Sequence, residues 1–164
     1  MRASGILMPI FSLPSRYGIG SFSKSAYQFV DMLKKAGQKY WQILPLCPTS
    51  YGDSPYQSFS TYAGNPYFID LDQLIEEKLL TRKECQACDF GDDPQDIDYG
   101  KLYENRFKLL RKAYERANVG EDQEFEAYRR ENAWWLDDYA LFMAVKDLNT
   151  SSSTSLQNAT MVER

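Results

Sequence analysis

The chain has 164 residues, 43% hydrophobic and 26% charged, enough for one modest core and short for two. Its net charge of −4 disfavours nucleic acid and anionic membrane surfaces, and no apolar run reaches the roughly 18 residues of a membrane span. Histidine is absent, which removes Ser-His-Asp and Cys-His nucleophile systems and the usual His-bearing zinc sites, while aromatics reach 15%.

The opening "SGILMPIF" (Ser4–Phe11) reads as a buried strand. "SLPSRYGIG" turns on Pro14, Gly18 and Gly20, after which Ser21 or Ser23 can cap a helix bearing Phe22, Ala26, Phe29, Val30 and Leu33 at helical spacing. Gly37 ends that helix, and "KYWQILPL" (Lys39–Leu46) reads as a second buried strand. Strand, helix, strand predicts a right-handed crossover between parallel strands. In such architectures the loops at the carboxyl ends of strands carry function. The arginine and short apolar run at the start lack a cleavage pattern for a secretory signal, and three cysteines are an odd count, so a reducing, cytoplasmic setting is expected.

The second of those loops is "YGDSPYQSFSTYAGNP" (Tyr51–Pro66). Flat tyrosine faces suit the C–H side of a pyranose ring. Hydroxyls and backbone groups on a rigid loop suit its OH pattern, and Pro and Gly restrict the backbone beforehand. The same residues equally describe a structural Ω-loop whose tyrosines pack on the domain. Asp53 in this loop suits a turn-forming role more than a catalytic one.

Beyond Pro66, "YFIDLDQLIEEKLLT" (Tyr67–Thr81) begins extended and becomes helical, with Asp70 and Asp72 turn-forming or solvated. "TRKE" (Thr81–Glu84) fits a capping box. Cys85 and Cys88 form a lone C-x-x-C inside a helical pattern, without the further ligands zinc needs or the strand a redox site needs. "DFGDDPQDIDYG" is an acidic loop without calcium-site spacing. Helices follow over 101–117, around Phe125 and Tyr128, and over about 133–147, with Trp134 and Trp135 expected in a helix core. Thr150–Thr160 holds seven Ser/Thr residues and is expected to stay disordered.

Three blocks, "SGILMPIFSLPSRYGIG", "AGQKYWQILPLCPTSYGDSPYQSFSTYAGNPYFIDL" and "ENAWWLDDYALFMAVKD", resemble the amino-terminal region of the amylomaltases, the 4-α-glucanotransferases. The resemblance spans Ala3 to Leu148. One departure is local: the family's His-Pro-Thr-Ser-Leu-Pro stretch stands here as "PIFSLPS", without its histidine. The resemblance implies an α/β fold: the N-terminal portion of a TIM (β/α)8 barrel, incomplete in this chain, with a mostly helical insertion subdomain. It implies a first βαβ part with its substrate loop over 1–70, the insertion over 71–148, and a disordered or non-native tail over 149–164.

It also implies transfer of α-1,4-glucan segments between maltodextrins by retaining double displacement, without metal or organic cofactor, nucleic acid or membrane. The family's carboxylate signatures, Arg-Ile-Asp-His, Ala-Glu-Asp-Leu-Gly and Thr-His-Asp-Asn, do not occur here, so catalytic residues are expected downstream of these 164 residues and the chain alone is expected to be inactive. Carried over by position, Ser54 and Tyr56 match residues lining the glucan cleft. Tyr51 and Tyr103 match an aromatic pair forming a second glucan groove. For Tyr103 a place on a helix-face core remains open, and a non-catalytic glucan-binding module is the alternative for the chain as a whole.

Overall fold

The structure is a computed structural model that describes residues 2–50 and 52–161, with the backbone alone over 150–161. The chain divides into two compact units, Met1–Val119 and Gly120–Arg164.

In the first unit, strand β1 (Gly5–Leu7) pairs in parallel with β2 (Tyr40–Gln42), register Gly5 to Tyr40, Ile6 to Trp41 and Leu7 to Gln42. Helix α1 (Lys24–Lys35) connects them. Its cap is Ser23, whose hydroxyl accepts from Ser25 N–H, and Gly37 at φ +70 lets the chain leave the helix in the left-handed region. Phe29 of α1 packs edge-on against Trp41, ring centroids 5.0 Å apart, and the Trp41 indole N–H donates to Met8 O at 2.7 Å. Both strands are shorter than the sequence predicts, and they are not buried: Ile6 is 40% exposed, Leu7 54% and Tyr40 67%. Val and Ile runs read as buried strands when both sheet faces are covered. Here α1 lies against one face, and among the described residues no third strand flanks the pair.

The core lies elsewhere in the unit. It joins the loop after β1 (Ile10, Leu13, Tyr17, Ile19) to α2 (Leu71–Glu76), α3 (Arg82–Gln86) and α4 (Tyr99–Ala117), through Leu71, Leu80, Cys85, Phe90, Leu102, Leu109 and Ala113. The boundary expected at residue 70 therefore does not divide the core. Helices of six and five residues cannot stand alone and must share the apolar face of α4. Asp70 caps α2 by accepting from Asp72 N–H, and Asp72 in turn accepts from the Tyr17 hydroxyl at 2.7 Å. Burial, and then that neighbouring carboxylate, hold the Tyr17 phenol far above its ordinary range.

The capping box read from "TRKE" is present, and α4 extends it. Thr81 Oγ1 accepts from Glu84 N–H while the Glu84 carboxylate accepts from Thr81 N–H. Arg116 then grips both Glu84 oxygens, at 2.7 and 2.9 Å, and donates to Leu79 O at 3.0 Å. Arg116 first, and Thr81 second, hold the Glu84 carboxyl far below its ordinary value of 4.5. A carboxyl depressed in the folded state contributes stability above its unfolded pKa and loses it as pH falls. Glu84→Gln is therefore expected to lower the urea midpoint at pH 7, with the gap to the parent shrinking as pH drops below 4.5. A gap that stays constant down to pH 3 would show that the carboxylate charge is not the cause.

The second unit is helix α5 (Gln123–Met161), entered through a 3-10 turn and capped by Asp122, whose carboxylate accepts from Glu124 and Phe125 N–H. The two helical segments read near Phe125 and over 133–147 are one helix. Trp134 is 66% exposed instead of in a core. Trp135 stacks obliquely on Tyr139 at 6.0 Å and donates to Asn132 Oδ1. The backbone remains helical through Thr150 to Met161, where disorder was expected. Once nucleated, a helix extends at a cost of only tenths of a kcal/mol per Ser or Thr. Residues 162–164 of the tail expected over 149–164 lie outside the described residues.

Candidate functional site

The loop after β2 is built as a closed Ω. Asn65 N–H donates to Leu46 O at 2.8 Å, bringing its two ends together immediately beyond the carboxyl end of β2. Inside, Ser50 N–H donates to Gln57 O at 3.2 Å, and Asp53 N–H to Ser50 O at 3.1 Å, closing a smaller loop that carries the "DSPYQ" tip. Ser54 shapes the tip: its hydroxyl accepts from Tyr56 N–H at 3.3 Å and its carbonyl from Gln57 N–H at 3.1 Å. Ser58 and Ser60 do the same for the second half, Ser60 Oγ accepting from Tyr62 and Ala63 N–H. The serines thus satisfy a backbone that has no sheet to bond with.

Asp53 sits in the left-handed region at φ 54, which an aspartate tolerates better than most residues. Burial raises its carboxyl above the usual range, while a hydrogen bond from the Thr49 side chain pulls the other way. Its charge is felt at Tyr67 and Tyr99, both of whose phenols burial has already raised, that of Tyr67 to about 12.

Tyr67 is the residue on which loop and helix meet. It is the middle residue of the 3-10 turn Pro66–Phe68, whose cap Asn65 accepts from Tyr67 N–H through its side chain. Its ring lies 6.2 Å from Tyr99 and 5.5 Å from Phe107 of α4, and Tyr103 stands edge-on to Phe107 at 5.6 Å. A buried tyrosine therefore anchors the loop to the first three turns of α4. Tyr103 is 53% exposed, so it lies at the surface rim of this aromatic cluster and not in a core. Tyr56 is 72% exposed at the loop tip and Ser54 is half-buried. Tyr51 lies outside the described residues. Tyr67 and Tyr99 were missed in the sequence, although "NPY" directly after a tyrosine-rich loop was a usable signal.

The C-x-x-C pair does not extend this chemistry. Cys85 is buried in α3, its thiol pushed up by burial, and Cys88 donates to Glu84 O; both are free thiols, as is Cys47. Among the described residues no three His, Cys, Asp or Glu side chains are grouped to hold a metal ion, and no helix is long and apolar enough to cross a membrane.

A family profile described as 4-alpha-glucanotransferase matches residues 8–163. The 4-alpha-glucanotransferase of Clostridium butyricum is 57% identical over 139 residues, covering 85% of this chain and 28% of that protein. That of Streptococcus pneumoniae is 54% identical over 147 residues (89% and 29%), and that of Thermus thermophilus 48% over 149 (88% and 29%). Among solved structures, the amylomaltase from Streptococcus agalactiae in complex with acarbose superposes with a TM-score of 0.82 at 46% identity, covering 90% of this chain and 30% of that one. The chain thus spans under a third of the length of the curated relatives it matches. On the strength of the profile match and these identities, the chain belongs to the 4-alpha-glucanotransferase family.

Proposed function

We propose that this chain supplies the glucan-holding start of a cytoplasmic 4-α-glucanotransferase, which moves α-1,4-glucan segments between maltodextrins. The observation that carries the reading is the rigid loop 47–65, closed at the carboxyl end of β2 and pinned through Tyr67 to the aromatic rim of α4. In parallel α/β barrels that end of a strand is where substrates are met, and β1–α1–β2 would be the first portion of such a barrel. The acarbose held by the Streptococcus agalactiae amylomaltase supports a sugar ligand. Three free thiols suit the reducing compartment.

Ser54 and Tyr56 would line the main cleft, the phenol of Tyr56 presenting an exposed flat face. Tyr51 and Tyr103 would grip a glucan strand farther out, Tyr103 held upright by its edge contact with Phe107. Retaining transfer needs a carboxylate nucleophile about 5–5.5 Å from a carboxylic acid. Asp53 is the single carboxylate of the loop, so the chain's own role is to hold sugar, with the cutting and rejoining carboxylates supplied from outside its span.

Maltoheptaose titrated into the purified chain, followed by tyrosine and tryptophan fluorescence, is expected to saturate. Tyr103→Ala and Tyr56→Ala should each weaken binding about five- to tenfold, the worth of one aromatic stacking face. Incubation with maltotriose is expected to release no glucose. A flat titration sinks the holding role, and sustained glucose release sinks the division of labour.

A further inference from the structure

Cys85 and Cys88 are two nucleophilic side chains for which holding a glucan has no use. They share one helical turn at the end of α3: Gln86 is its last residue, Ala87 the C-cap in right-handed helical conformation, and Cys88 N–H donates to Cys85 O at 3.3 Å. Residues three apart on such a turn lie on one face. Both thiols accordingly turn inward, Cys85 1% exposed in the core and Cys88 packed against the same cluster. They differ in access. Cys85 is covered, while Cys88 is half-buried, its thiol donating to Glu84 O at 3.6 Å. Cys47 stands apart in loop 47–65, where it donates to Thr61 O.

This turn can close a ring between the two sulfurs, with some strain. Cβ atoms three residues apart on a helix lie about 5–6 Å from each other, against about 3.5–4.5 Å across a disulfide. Cys88 stands beyond the C-cap, outside the helical residues of α3, so it is the end that can move. A disulfide closed by drawing the chain in is strained, and strained disulfides are the labile, readily reduced kind.

We propose that the Cys85–Cys88 pair is a reversible redox modification site, oxidised to a disulfide by a low-molecular-weight disulfide and reopened by the corresponding thiol. The Cys88 thiolate attacks one sulfur of the reagent, whose S–S bond breaks and releases one thiol. Cys85 then gives up its proton, and its thiolate displaces the second thiol from Cys88. The protein loses two protons and two electrons, and the reagent is reduced to two thiols. Burial sets the order of events. Burial first, and the charge of Cys88 second, push the Cys85 thiol up, and capping Cys88 removes the second of these causes. The site lies on the helix that Arg116 fastens to α4, and oxidation takes away the Cys88 hydrogen that Glu84 O accepts. Its chemistry does not depend on what loop 47–65 binds.

The test is incubation of the full native chain with glutathione disulfide, followed by acid quenching, alkylation of the remaining thiols, tryptic digestion and mass spectrometry. Cys85 and Cys88 fall on one peptide, Glu84–Lys101, and Cys47 on another. The 84–101 peptide is expected to lose the mass of two hydrogen atoms, and to regain it when an excess of reduced glutathione is added before quenching. In Cys85→Ser the same peptide should instead accumulate one glutathione, held on Cys88. In Cys88→Ser, addition to the covered Cys85 should be about tenfold slower than that, or more. Should a variant not fold, the parent chain alone decides. A peptide carrying glutathione with no loss of hydrogen, closure seen only in urea, or a disulfide that reduced glutathione fails to reopen would each overturn the proposal.

Discussion

Gly20→Ala is expected to lower the unfolding free energy by about 3 kcal/mol, the upper end of ordinary overpacking costs. The backbone of Gly20 runs directly against the 3-10 turn at Ile10–Ser12, donating its N–H to Phe11 O at 3.0 Å. A methyl group there would fall on the Ile10 carbonyl oxygen and within 2.7 Å of both Leu13 N and Leu13 O. All three are main-chain atoms, so no side-chain rotation relieves the clash. Either the loop after β1 lifts off, or Ile10 and Leu13, among the most buried residues in the chain, leave the core. Gly64 offers the control: nothing lies within 4 Å of its added methyl, and Gly64→Ala should stay within about 0.5 kcal/mol of the parent. Urea unfolding of the three proteins measures both. Equal midpoints for Gly20→Ala and Gly64→Ala would mean that the loop is not packed as described.

Arg106→Ala is expected to cost about 3 kcal/mol, whereas Arg106→Met should cost less than about 1.5. Arg106 is 1% exposed on the inner face of α4. Its Nη2 donates to Ile69 O, the residue that ends the 3-10 turn after loop 47–65, but Nε and Nη1 have no partner among the described residues. Burial lowers its pKa to about 10, with the Asp70 carboxylate the main opposing influence. The guanidinium is thus an imperfectly satisfied buried cation whose bulk fills the space between α4 and the Ile69–Leu71 segment. Alanine removes the bulk and the donor together. Methionine keeps most of the volume, removes the desolvated charge, and leaves only the Ile69 carbonyl short of a donor. Thermal and urea unfolding of both variants decide the matter. A methionine variant as unstable as the alanine one would show that the charge, not the packing, holds this segment.

The elements that depend on neighbours along the chain were legible. Ser23 and Gly37 bracket α1 as their side-chain chemistry predicts, and Thr81 with Glu84 makes the capping box. The resemblance to amylomaltases rested on long ordered strings and holds, as the family match shows. What periodicity could not reveal is which apolar residues find a partner. Leu7, Tyr40 and Trp134 have the composition of core residues and are exposed, while Arg106 has the composition of a surface residue and is buried. Tyr103 sat undecided between core and surface until Phe107 and Tyr67 were placed beside it.

The sequence by itself determined the local geometry, the caps and the turns, among them the serine-rich turns of the tyrosine-rich loop. Each follows from interactions between residues a few positions apart, whose energetics do not depend on the rest of the fold. Only the tertiary structure decided that Tyr67 joins that loop to α4, that Arg116 of one helix locks Glu84 of another, and that Leu7 and Tyr40 of the strand pair are exposed. Those are contacts between segments tens of residues apart, and burial is a property of what packs on a side chain, not of the side chain alone.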